Sequence, residues 1–498
     1  MTKASAKKTG KPDYVTPEYI AAQRAKRQLA KAERAKRNAE LGIVPQEQGF
    51  DCRFVERPML RVAEDDDGAP GIVMKIMTYN VLGQALIRRK LFPTNGNALK
   101  WRWRSRVLLS ELRLYDADIM CLQEVDKAQL EPFYFPELEK LGYTVLFHCG
   151  QGKNHGLLLC WRTSMFCLDA SKHVDYDDDS GYDADGAMAT GKRHTVPQTR
   201  TRNVALLAAL RYVNSTSNAG VIVGTTHLFW HPYGTLERTR QCAVLVRNLK
   251  KFSEEIDPTH GQWPIFAAGD FNSLPFDAPY LCMTQPQERR VTARSKTVLE
   301  NSFNHVYTTK DEEEVEEDED DVEGVIFAAE EVKSKVDSVP APKALVSSVD
   351  TVILSQFTPQ TSMPPPGEPT RKSISREALT IDDVYTLHDN NNSVILRSLY
   401  GSSYRYAHPE NSSVDDRNGE PSFSNWAHSW RGLLDYIFVF DHRPGASSGN
   451  EGGANVEVLE LLRLPLPDEM GAEPSGQPRE GQYPSDHLCL MAKIKIVQ

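Results

Sequence analysis

Short apolar runs that end in polar residues recur along the chain from residue 71 onward. In the run HLCLMAKIKI, every second residue from Leu488 to Ile496 is apolar, whereas His487, Lys493 and Lys495 occupy alternate positions. This period of two is that of a β-strand with one buried face. Seven other runs share this character: IVMKIMTYNVL, ADIMCLQEVD, HGLLLCW, NVALLAALRY, VIVGTTHLFW, PIFAAGDFN and LLDYIFVF. We predict that all eight form strands.

Two of the segments between these runs have the period of a helix. In WRWRSRVLLSELRLYDAD, Trp101, Leu108 and Leu112 fall on one side, and LERTRQCAVLVRNLKKF spaces Leu236 and Val244 more loosely. Strands that alternate with helices predict a mixed α/β core.

The N-terminal segment has a different composition. Residues 1–40 carry 11 Lys and Arg against 4 Asp and Glu, and residues 17–41 are rich in Ala, Lys, Arg and Glu, which predicts a helix. The helix lacks a broad apolar stripe, so the segment is either a solvated helix or flexible tail, or an electrostatic arm for RNA or nuclear entry. We therefore assign residues 1–50 to a basic tail outside the catalytic domain, which spans residues 51–498.

Two stretches interrupt this domain. Residues 308–375 contain an acidic run, with 11 acids and no base over residues 311–323, followed by proline-rich sequence. Such a composition cannot bury enough apolar surface to offset its chain entropy, which predicts a disordered insertion. A second, smaller loop is predicted at residues 408–422. The apolar run VILRSLY between them should return to the core, and a helix is one form that it could take.

Composition and charge limit the possible functions. No apolar run is long enough to cross a bilayer, and the N-terminus has no apolar core of a secretion signal, so we expect the protein to stay inside the cell, in cytoplasm or nucleus. The 8 cysteines form no CxxC pair, which indicates reduced thiols. The net charge of −10 leaves −6 once the basic tail and the acidic run are removed. Nucleic acid would therefore need a local groove or a bound cation.

Polar side chains at the ends of the apolar runs form a consistent set. Any one of them could be a turn residue or a satisfied surface group, but so many at strand ends point to a reaction centre. They are Asn80, Glu124, His227, Asp270, Asn272, Asp435, Asp486 and His487.

The residue types suit phosphodiester hydrolysis. Mg²⁺ prefers carboxylate and amide oxygens and is commonly held by one or two carboxylates together with a substrate phosphate, a role that Glu124 and Asn80 could fill. An Asp/His pair suits proton transfer and charge stabilisation, because a carboxylate fixes the tautomer of an imidazole and favours its cation.

At this point the motifs MTYNVL, LQEVD, THLFWHP, GDFNSLP, GLLDYIF and YPSDH resemble those of the endonuclease/exonuclease/phosphatase superfamily. They are most similar to its deadenylase-type branch of RNA exonucleases, which includes nocturnin, Angel and fungal RNA exonucleases. The resemblance covers residues 71–282 and 423–498. It implies a four-layer α/β sandwich, in which two mostly antiparallel sheets pack face to face and are flanked by helices, with the active site at one edge.

The resemblance also implies roles for single residues. Glu124, with Asn80 close by, matches the principal Mg²⁺ site, where Mn²⁺ is a possible substitute, and Asp486 matches a carboxylate near a second metal position. Asp270 matches the group that handles the attacking water or the leaving group, and Asn272 the amide beside it. The general base is left open.

Three histidine and carboxylate positions complete the implied centre. His487 matches the histidine that faces the scissile phosphate, Asp435 the carboxylate behind it, and His227 a donor to a phosphate oxygen. Pro232 and Phe438 match the two walls of a nucleobase slot. Where relatives often read Asp-Gly-Cys, this chain has His155 before Gly156, which weakens the case for strict poly(A) preference.

The implied function is a Mg²⁺-dependent 3′-to-5′ exoribonuclease that binds single-stranded RNA 3′ ends, either poly(A) tails or RNA precursors such as ribosomal RNA. Two alternatives remain. One is a phosphatase or DNA-repair nuclease of the same superfamily, although LLDYIF replaces the Cys-Asp-Arg motif that is usual in phosphoinositide phosphatases. The other is an inactive RNA-binding scaffold, although no expected ligand is missing.

Overall fold

The structure is a computed structural model of the chain. It describes residues 52–63, 71–87, 95–178, 199–213, 219–257, 263–305, 380–390, 394–427, 430–442, 455–470 and 476–497, together with residues 92, 197 and 307. All of these lie in one unit, Cys52–Gln498. The predicted tail and the predicted insertion lie outside the described residues.

The described residues form fifteen strands. In chain order these are β1 Met59–Arg61, β2 Ile72–Asn80, β3 Ile119–Asp126, β4 Tyr143–His148, β5 His155–Arg162, β6 Phe166–Asp175, β7 Val204–Tyr212, β8 Gly220–His227, β9 Ile265–Asp270, β10 Val394–Ser398, β11 Asn425–Ala427, β12 Trp430–Gly432, β13 Asp435–His442, β14 Asn455–Leu462 and β15 Leu490–Val497. All eight strands predicted from the sequence are among them.

Helices connect many of these strands. The α-helices are α1 Trp101–Tyr115, α2 Lys127–Gln129, α3 Phe135–Lys140, α4 Thr235–Ile256, α5 Ala278–Thr284, α6 Ala293–Asn304, α7 Ile381–Asn390, α8 Leu399–Ala407 and α9 Val414–Arg417. Single turns of 3₁₀ helix occur at Gln84–Leu86, Gly96–Leu99, Gln287–Arg289, Pro409–Asn411 and Pro467–Met470, and a π-helical turn at Leu130–Tyr134. Both helices expected between the core strands are present, as α1 and α4, and the helix expected at residues 17–41 lies outside the described residues.

The strands form two large sheets and one hairpin. The first sheet has the order β1-β14-β15-β2-β3-β5-β4, and the second has the order β10-β13-β9-β8-β7-β6. Most neighbours are antiparallel, but β2 pairs with β3, and β8 with β9, in parallel. The parallel pairs at the centre of each sheet matter for function, because parallel strands end at the same edge.

Three apolar clusters define the layers. The first fills the space between the sheets, with Ile76 and Leu159 from one sheet and Leu206 and Ile437 from the other. The second lies between the second sheet and helices α4 and α5, and the third between the first sheet and α1. The order of layers is therefore helix, sheet, sheet, helix, and the predicted four-layer α/β sandwich is confirmed.

Two segments differ in detail from expectation. The run VILRSLY does return to the core, as strand β10 followed by the start of α8, and Leu396 and Leu399 are buried. Residues 408–422 contain a 3₁₀ turn and helix α9, and Asn411 is buried there, where it hydrogen-bonds to the carbonyl groups of Leu464 and Pro465. In the described part of the chain, no helix combines the length and the hydrophobicity needed to cross a membrane.

Candidate active site

Strand direction collects the predicted polar residues at one edge of the sandwich. Strand β8 ends at His227 and β9 at Asp270, which are paired in register, and β13 begins at Asp435, which pairs with Asp270 from the other side. In the facing sheet, β2 ends at Asn80 beside the C-terminal half of β3. The centre thus lies where the parallel pair of each sheet ends.

Glu124 reaches this edge because strand β3 is irregular at that position. The pairing of β3 with β5 shifts register between Leu122 and Val125, and Glu124 has a φ of 59°. This left-handed conformation is unusual for a residue with a side chain and is a common mark of functional sites. The Oε2 atom accepts a hydrogen bond of 2.9 Å from the N–H of Gly83, which holds the carboxylate in the cleft.

Asn80 links the two sheets at the centre. Its Nδ2 atom donates to Glu124 Oε1 and to Asp270 Oδ2, both at 3.0 Å. Its Oδ1 atom accepts from the N–H of Leu82 at 3.0 Å, and this contact fixes the amide orientation because a backbone N–H can only donate. The amide nitrogen of Asn80 therefore faces the two carboxylates, and its oxygen faces the backbone.

Asp270 is 1 % exposed and is held by several donors. Oδ1 accepts from the backbone N–H of Asn272 at 2.9 Å, and Oδ2 from Asn80. Asn272 has a φ of 48°, which ends the strand, and its Nδ2 atom donates to the carbonyl of Leu228 at 3.0 Å. At Gly269 a Cβ atom would collide with the carbonyl oxygen of Thr226, so strands β8 and β9 can pair closely only with glycine there.

His487 and Asp435 form a buried hydrogen-bonded pair. His487 Nδ1 donates to Asp435 Oδ2 at 2.7 Å, and Ser424 Oγ donates to the same oxygen at 2.7 Å. Burial alone would lower the pKa of His487, but the carboxylates of Asp435 and Asp270 outweigh it and raise that pKa well above its usual value. His487 is thus an imidazolium at neutral pH, with Nε2 3.7 Å from Asp270 Oδ2.

His227 stands on the other side of Asp270. Its Nε2 atom lies 3.5 Å from Asp270 Oδ2 and 3.9 Å from Glu124 Oε1. Asn203 Nδ2 donates to the carbonyl of His227 at 2.6 Å and so fixes the end of β8. Burial opposes ionisation of Glu124, but the charge of His227 and the hydrogen bond from Asn80 have the larger combined effect and lower the pKa of Glu124.

Asp486 completes the set of carboxylates. Its Oδ2 atom accepts from Asn425 Nδ2 at 3.3 Å, and its carbonyl accepts from the N–H of Trp426 at 2.8 Å. Burial raises the pKa of Asp486, the His487 cation opposes this rise, and the negative charge of Glu124 adds to it. The effect of Glu124 means that the two carboxylates repel each other across the cleft.

The two residues predicted to form the walls of a base slot differ in their exposure. Pro232 is exposed on the segment after His227. Phe438 is 0 % exposed and packs against Phe271 and Tyr280 beneath the second sheet, so the prediction that it lines the slot is wrong. The reason is strand alternation: Phe438 is three residues from Asp435, and odd separations place side chains on opposite faces.

Several residues of the centre were missed in the sequence. Ser424 lies in irregular chain before β11, and Arg104, on helix α1, donates to the carbonyl groups of Val81, Leu82 and Pro484 and so joins the loops that carry Gly83 and Asp486. Trp430 is 47 % exposed on the β11–β12 hairpin. The available signal in the sequence was a Trp five residues before Asp435.

The donor set at Glu124 and Asp486 fits a hard divalent cation. Carboxylate oxygens are the preferred ligands of Mg²⁺. Among the described residues, each Glu124 oxygen accepts one hydrogen bond, which leaves a lone pair for an ion. A second group, Asp270, Asp435 and His487, has ligand atoms within 4.8 Å of one another. Within that group, the hydrogen bond between His487 Nδ1 and Asp435 Oδ2 suits proton transfer.

Residues 77–291 match the sequence profile of the Endonuclease/Exonuclease/phosphatase family. The chain is 35% identical over 523 residues to RNA exonuclease NGL2 of Saccharomyces cerevisiae, covering 98% of this chain and 90% of that protein. It is 28% identical over 269 residues to the CCR4-Not complex 3′-5′-exoribonuclease subunit Ccr4 of Yarrowia lipolytica, covering 47% and 38% of the two chains.

Among solved structures, the fold is similar to that of ANGEL2, described as a 2′,3′-cyclic phosphatase, in complex with adenosine-2′,3′-vanadate. The TM-score is 0.52 at 18% sequence identity, and the similarity covers 89% of this chain and 99% of that one. At this identity the likeness establishes the fold alone.

Proposed function

The chain belongs to the endonuclease/exonuclease/phosphatase family, and from that premise we propose that it is a Mg²⁺-dependent exoribonuclease that removes nucleotides from RNA 3′ ends. The similarity to RNA exonuclease NGL2 extends over nearly the whole chain and supports a hydrolytic enzyme that acts on RNA. The observation that carries the proposal is the arrangement of Glu124, Asp270 and His487 at one cleft.

We assign the cation to Glu124 and Asp486, with Mn²⁺ as a possible substitute. When bound, the ion supplies a Lewis acid for a phosphoryl oxygen and lowers the charge repulsion in the cleft. Asn80 was predicted beside the metal, and its contacts support a positioning role, because its amide nitrogen holds both Glu124 and Asp270.

Two imidazoles flank Asp270 and suit a phosphate. The His487 cation can donate Nε2–H to a non-bridging oxygen as negative charge develops there, while Asp435 and Ser424 hold the ring. His227 can donate to a second oxygen from the opposite side. Asp270 accepts every hydrogen bond that it makes, so it can take a proton from water or orient the leaving group. Asn272 fixes Asp270 through its backbone N–H.

Exposed side chains near the centre suit a nucleobase. Trp430 lies five residues before Asp435, on a hairpin whose Asn425 forms a backbone bridge with His487. We propose that Trp430, in place of Phe438, stacks on a base, with Pro232 as a second apolar surface. Stacking tolerates any base, because each has a π face.

The domain boundaries are also a proposal. We infer that residues 1–50 and 308–375 are dispensable for hydrolysis, because none of the proposed catalytic residues lies in them. Deletion of residues 311–350 should leave turnover of a short RNA within about twofold of the full chain. A collapse of thermal stability in the deleted protein would show that this segment belongs to the catalytic domain.

Labelled oligonucleotides test the proposal directly. The purified protein is incubated with RNA labelled at the 5′ end, with or without an oligo(A) 3′ tail, and with a DNA of the same sequence. We expect a ladder that shortens from the 3′ end, requires Mg²⁺, stops with EDTA and is absent on DNA. Faster cleavage of DNA, or cleavage that survives EDTA, would contradict the proposal. The ratio of rates on the two RNAs decides between poly(A) tails and other 3′ ends.

A further inference from the structure

A small cleft opens beside His227, on the side away from His487. Its walls come from Lys153 in the turn before β5, from His155 at the start of that strand, and from Arg202 and Asn203, which immediately precede β7. His227 also lines this cleft, and its Nε2 atom lies 3.5 Å from Asp270 Oδ2. The cleft is therefore continuous with the proposed reaction centre.

The ammonium group of Lys153 is available to bind a ligand. Within the described residues its Nζ atom makes no hydrogen bond and no ion pair, although the backbone N–H of Lys153 is bound to the carbonyl of Gly150 at 3.1 Å. Burial lowers the pKa of Lys153 to about 8, and the charges of Asp177 and Glu124 oppose that effect. The group thus keeps its proton at neutral pH while it lacks a contacting counter-charge.

Arg202 is held in place by its backbone, and its side chain remains exposed. It has a φ of 54°, and its N–H donates to Asp177 Oδ2 at 2.8 Å. The other oxygen of Asp177 accepts from the N–H and the hydroxyl of Thr201, both at 3.1 Å. Asp177 is thus occupied by the turn itself, and the Arg202 guanidinium makes no hydrogen bond or ion pair in the described part of the chain.

The charge of the cleft selects an anion. Of the residues that line it, Lys153 and Arg202 are cationic and none is acidic. Burial and the neighbouring Lys153 lower the pKa of His155 to about 3, so this imidazole is neutral and can also accept a hydrogen bond. At Gly150 a Cβ atom would collide with the Arg202 carbonyl, so the close approach of the two loops that form the cleft requires glycine there.

We propose that Lys153 and Arg202 bind a second phosphate of the RNA, next to the phosphate that is cleaved. The inference rests on the proposed function, because it takes the strand in the neighbouring centre to be RNA. A phosphate contact of this kind carries no sequence information but fixes the register of the strand, which an enzyme working one nucleotide at a time needs. The bound phosphate belongs either to the nucleotide upstream or to a phosphorylated 3′ terminus.

Dinucleotides distinguish these two sources. The substrates are NpN, pNpN with a 5′-phosphate upstream, and NpNp with a 3′-phosphate downstream. We expect one of the two phosphorylated compounds to have a KM about tenfold below that of NpN, with kcat within about twofold. In Lys153→Met and Arg202→Gln this advantage should disappear, whereas the matched variants Lys172→Met and Arg113→Gln, at cations that do not line the cleft, should retain it.

Binding without turnover separates failure of this inference from failure of the proposed function. Calorimetry uses the same compounds with a non-hydrolysable phosphonate at the scissile position, and the extra phosphate should tighten binding about tenfold in the wild type alone. If the wild type cleaves RNA but neither phosphate improves binding, the second-phosphate site is wrong. It is also wrong if the advantage survives in both cleft variants. If no RNA is cleaved, the proposed function fails, and calorimetry still decides whether the cleft binds phosphate.

Discussion

The molecule contains two buried groups of charged side chains, and they differ in whether an arginine pairs with the carboxylates. On helix α4, Glu237 and Arg240 are both 0 % exposed, and Arg240 Nε lies 3.1 Å from each carboxylate oxygen of Glu237. At the sheet edge, Glu124, Asp270, Asp435 and Asp486 face imidazoles, and no lysine or arginine forms an ion pair with them among the described residues.

This difference indicates that the helix pair contributes mainly to stability and the sheet-edge group mainly to function. A buried carboxylate paired with arginine is compensated within the fold, so removal of either partner leaves an uncompensated charge. In the centre, the His487 cation compensates Asp435 and Asp270, whereas Glu124 and Asp486 repel each other until a cation or a positively polarised substrate arrives. Substitutions in the helix pair should therefore lower stability with little effect on chemistry, and those in the centre should do the reverse.

The largest effect on turnover is expected from Glu124→Gln. This change removes one negative charge of the proposed cation site and should lower the hydrolysis rate by about 10³-fold or more. The folded chain lowers the pKa of Glu124, so its charge is favourably placed, and the glutamine NH2 group would face the N–H of Asn80 or Gly83. The free energy of unfolding without Mg²⁺ should therefore fall by about 1–3 kcal/mol, which is small beside the loss of rate. Initial rates on labelled RNA and urea unfolding measure the two quantities.

The matched control for this variant is Glu460→Gln. Glu460 pairs with Lys493 at 3.1 Å on the outer part of the first sheet, so its loss should leave the rate unchanged. Substantial nuclease activity in Glu124→Gln would contradict the assignment of the cation to this residue.

Asp435→Asn should have the next largest effect. It removes the charge that holds His487 protonated, so kcat should fall by about 10² to 10³-fold. If the protonated imidazole is the active form, the wild-type rate should decline only above the ordinary pKa range of histidine. In the variant, the same alkaline decline should begin at a lower pH than in the wild type. A pH–rate profile of kcat measures both changes.

Asp441→Asn is the control on the same strand, because Asp441 pairs with Arg397 at the far end of β13. An Asp435→Asn profile that keeps the wild-type alkaline limb would mean that Asp435 does not set the protonation of His487.

Trp430→Ala should have a smaller effect, confined to substrate binding. Loss of one stacked base costs about 1–3 kcal/mol, so KM should rise by about 5- to 150-fold while kcat changes little. Tyr406→Ala serves as control, because Tyr406 is 67 % exposed on helix α8, which carries none of the proposed site residues. An unchanged KM in Trp430→Ala would remove this residue from the base slot.

Glu237→Gln should have the smallest effect on turnover and a large effect on folding. Breaking the buried pair should cost about 3–5 kcal/mol of unfolding free energy, and the double variant Glu237→Met with Arg240→Met should recover part of it. The exposed pair of Lys140 and Glu137 offers the contrast, since Glu137→Gln should cost less than about 1 kcal/mol. If Glu237→Gln folds as stably as the wild type but cleaves RNA poorly, the two groups are not distinct.

The sequence predicts strand ends far better than it predicts strand neighbours. Asn80, His227 and Asp270 each close an apolar run, so a sheet-edge cluster follows from pattern alone. Strands such as β6, Phe166–Asp175, were missed because half of their positions are polar or exposed. The pairing of Asp270 with Asp435 depends on contacts far apart in the chain, which no local pattern encodes.

Buried charges were the least predictable feature. Glu237 and Arg240 count as polar in any hydrophobic pattern, which made helix α4 look only loosely amphipathic, although both are fully buried. Phe438 was misassigned for a different reason. The motif was matched to the family without considering that side chains alternate along a strand, which places Phe438 and Asp435 on different faces. Ser424 lies outside the apolar runs, so only the folded chain brings it to Asp435.

The most direct test of the central claim is to measure how the unfolding temperature of the protein depends on Mg²⁺ concentration. A cation that binds only the folded state raises the unfolding free energy in proportion to the logarithm of its concentration above Kd. We expect the unfolding temperature of the wild type to rise with Mg²⁺ concentration and that of Glu124→Gln to stay nearly constant. For each protein, the reference is the unfolding temperature of the same sample in EDTA. Equal shifts in the two proteins, or no shift in the wild type, would contradict the claim that the repelling carboxylates at the sheet edge form a cation site.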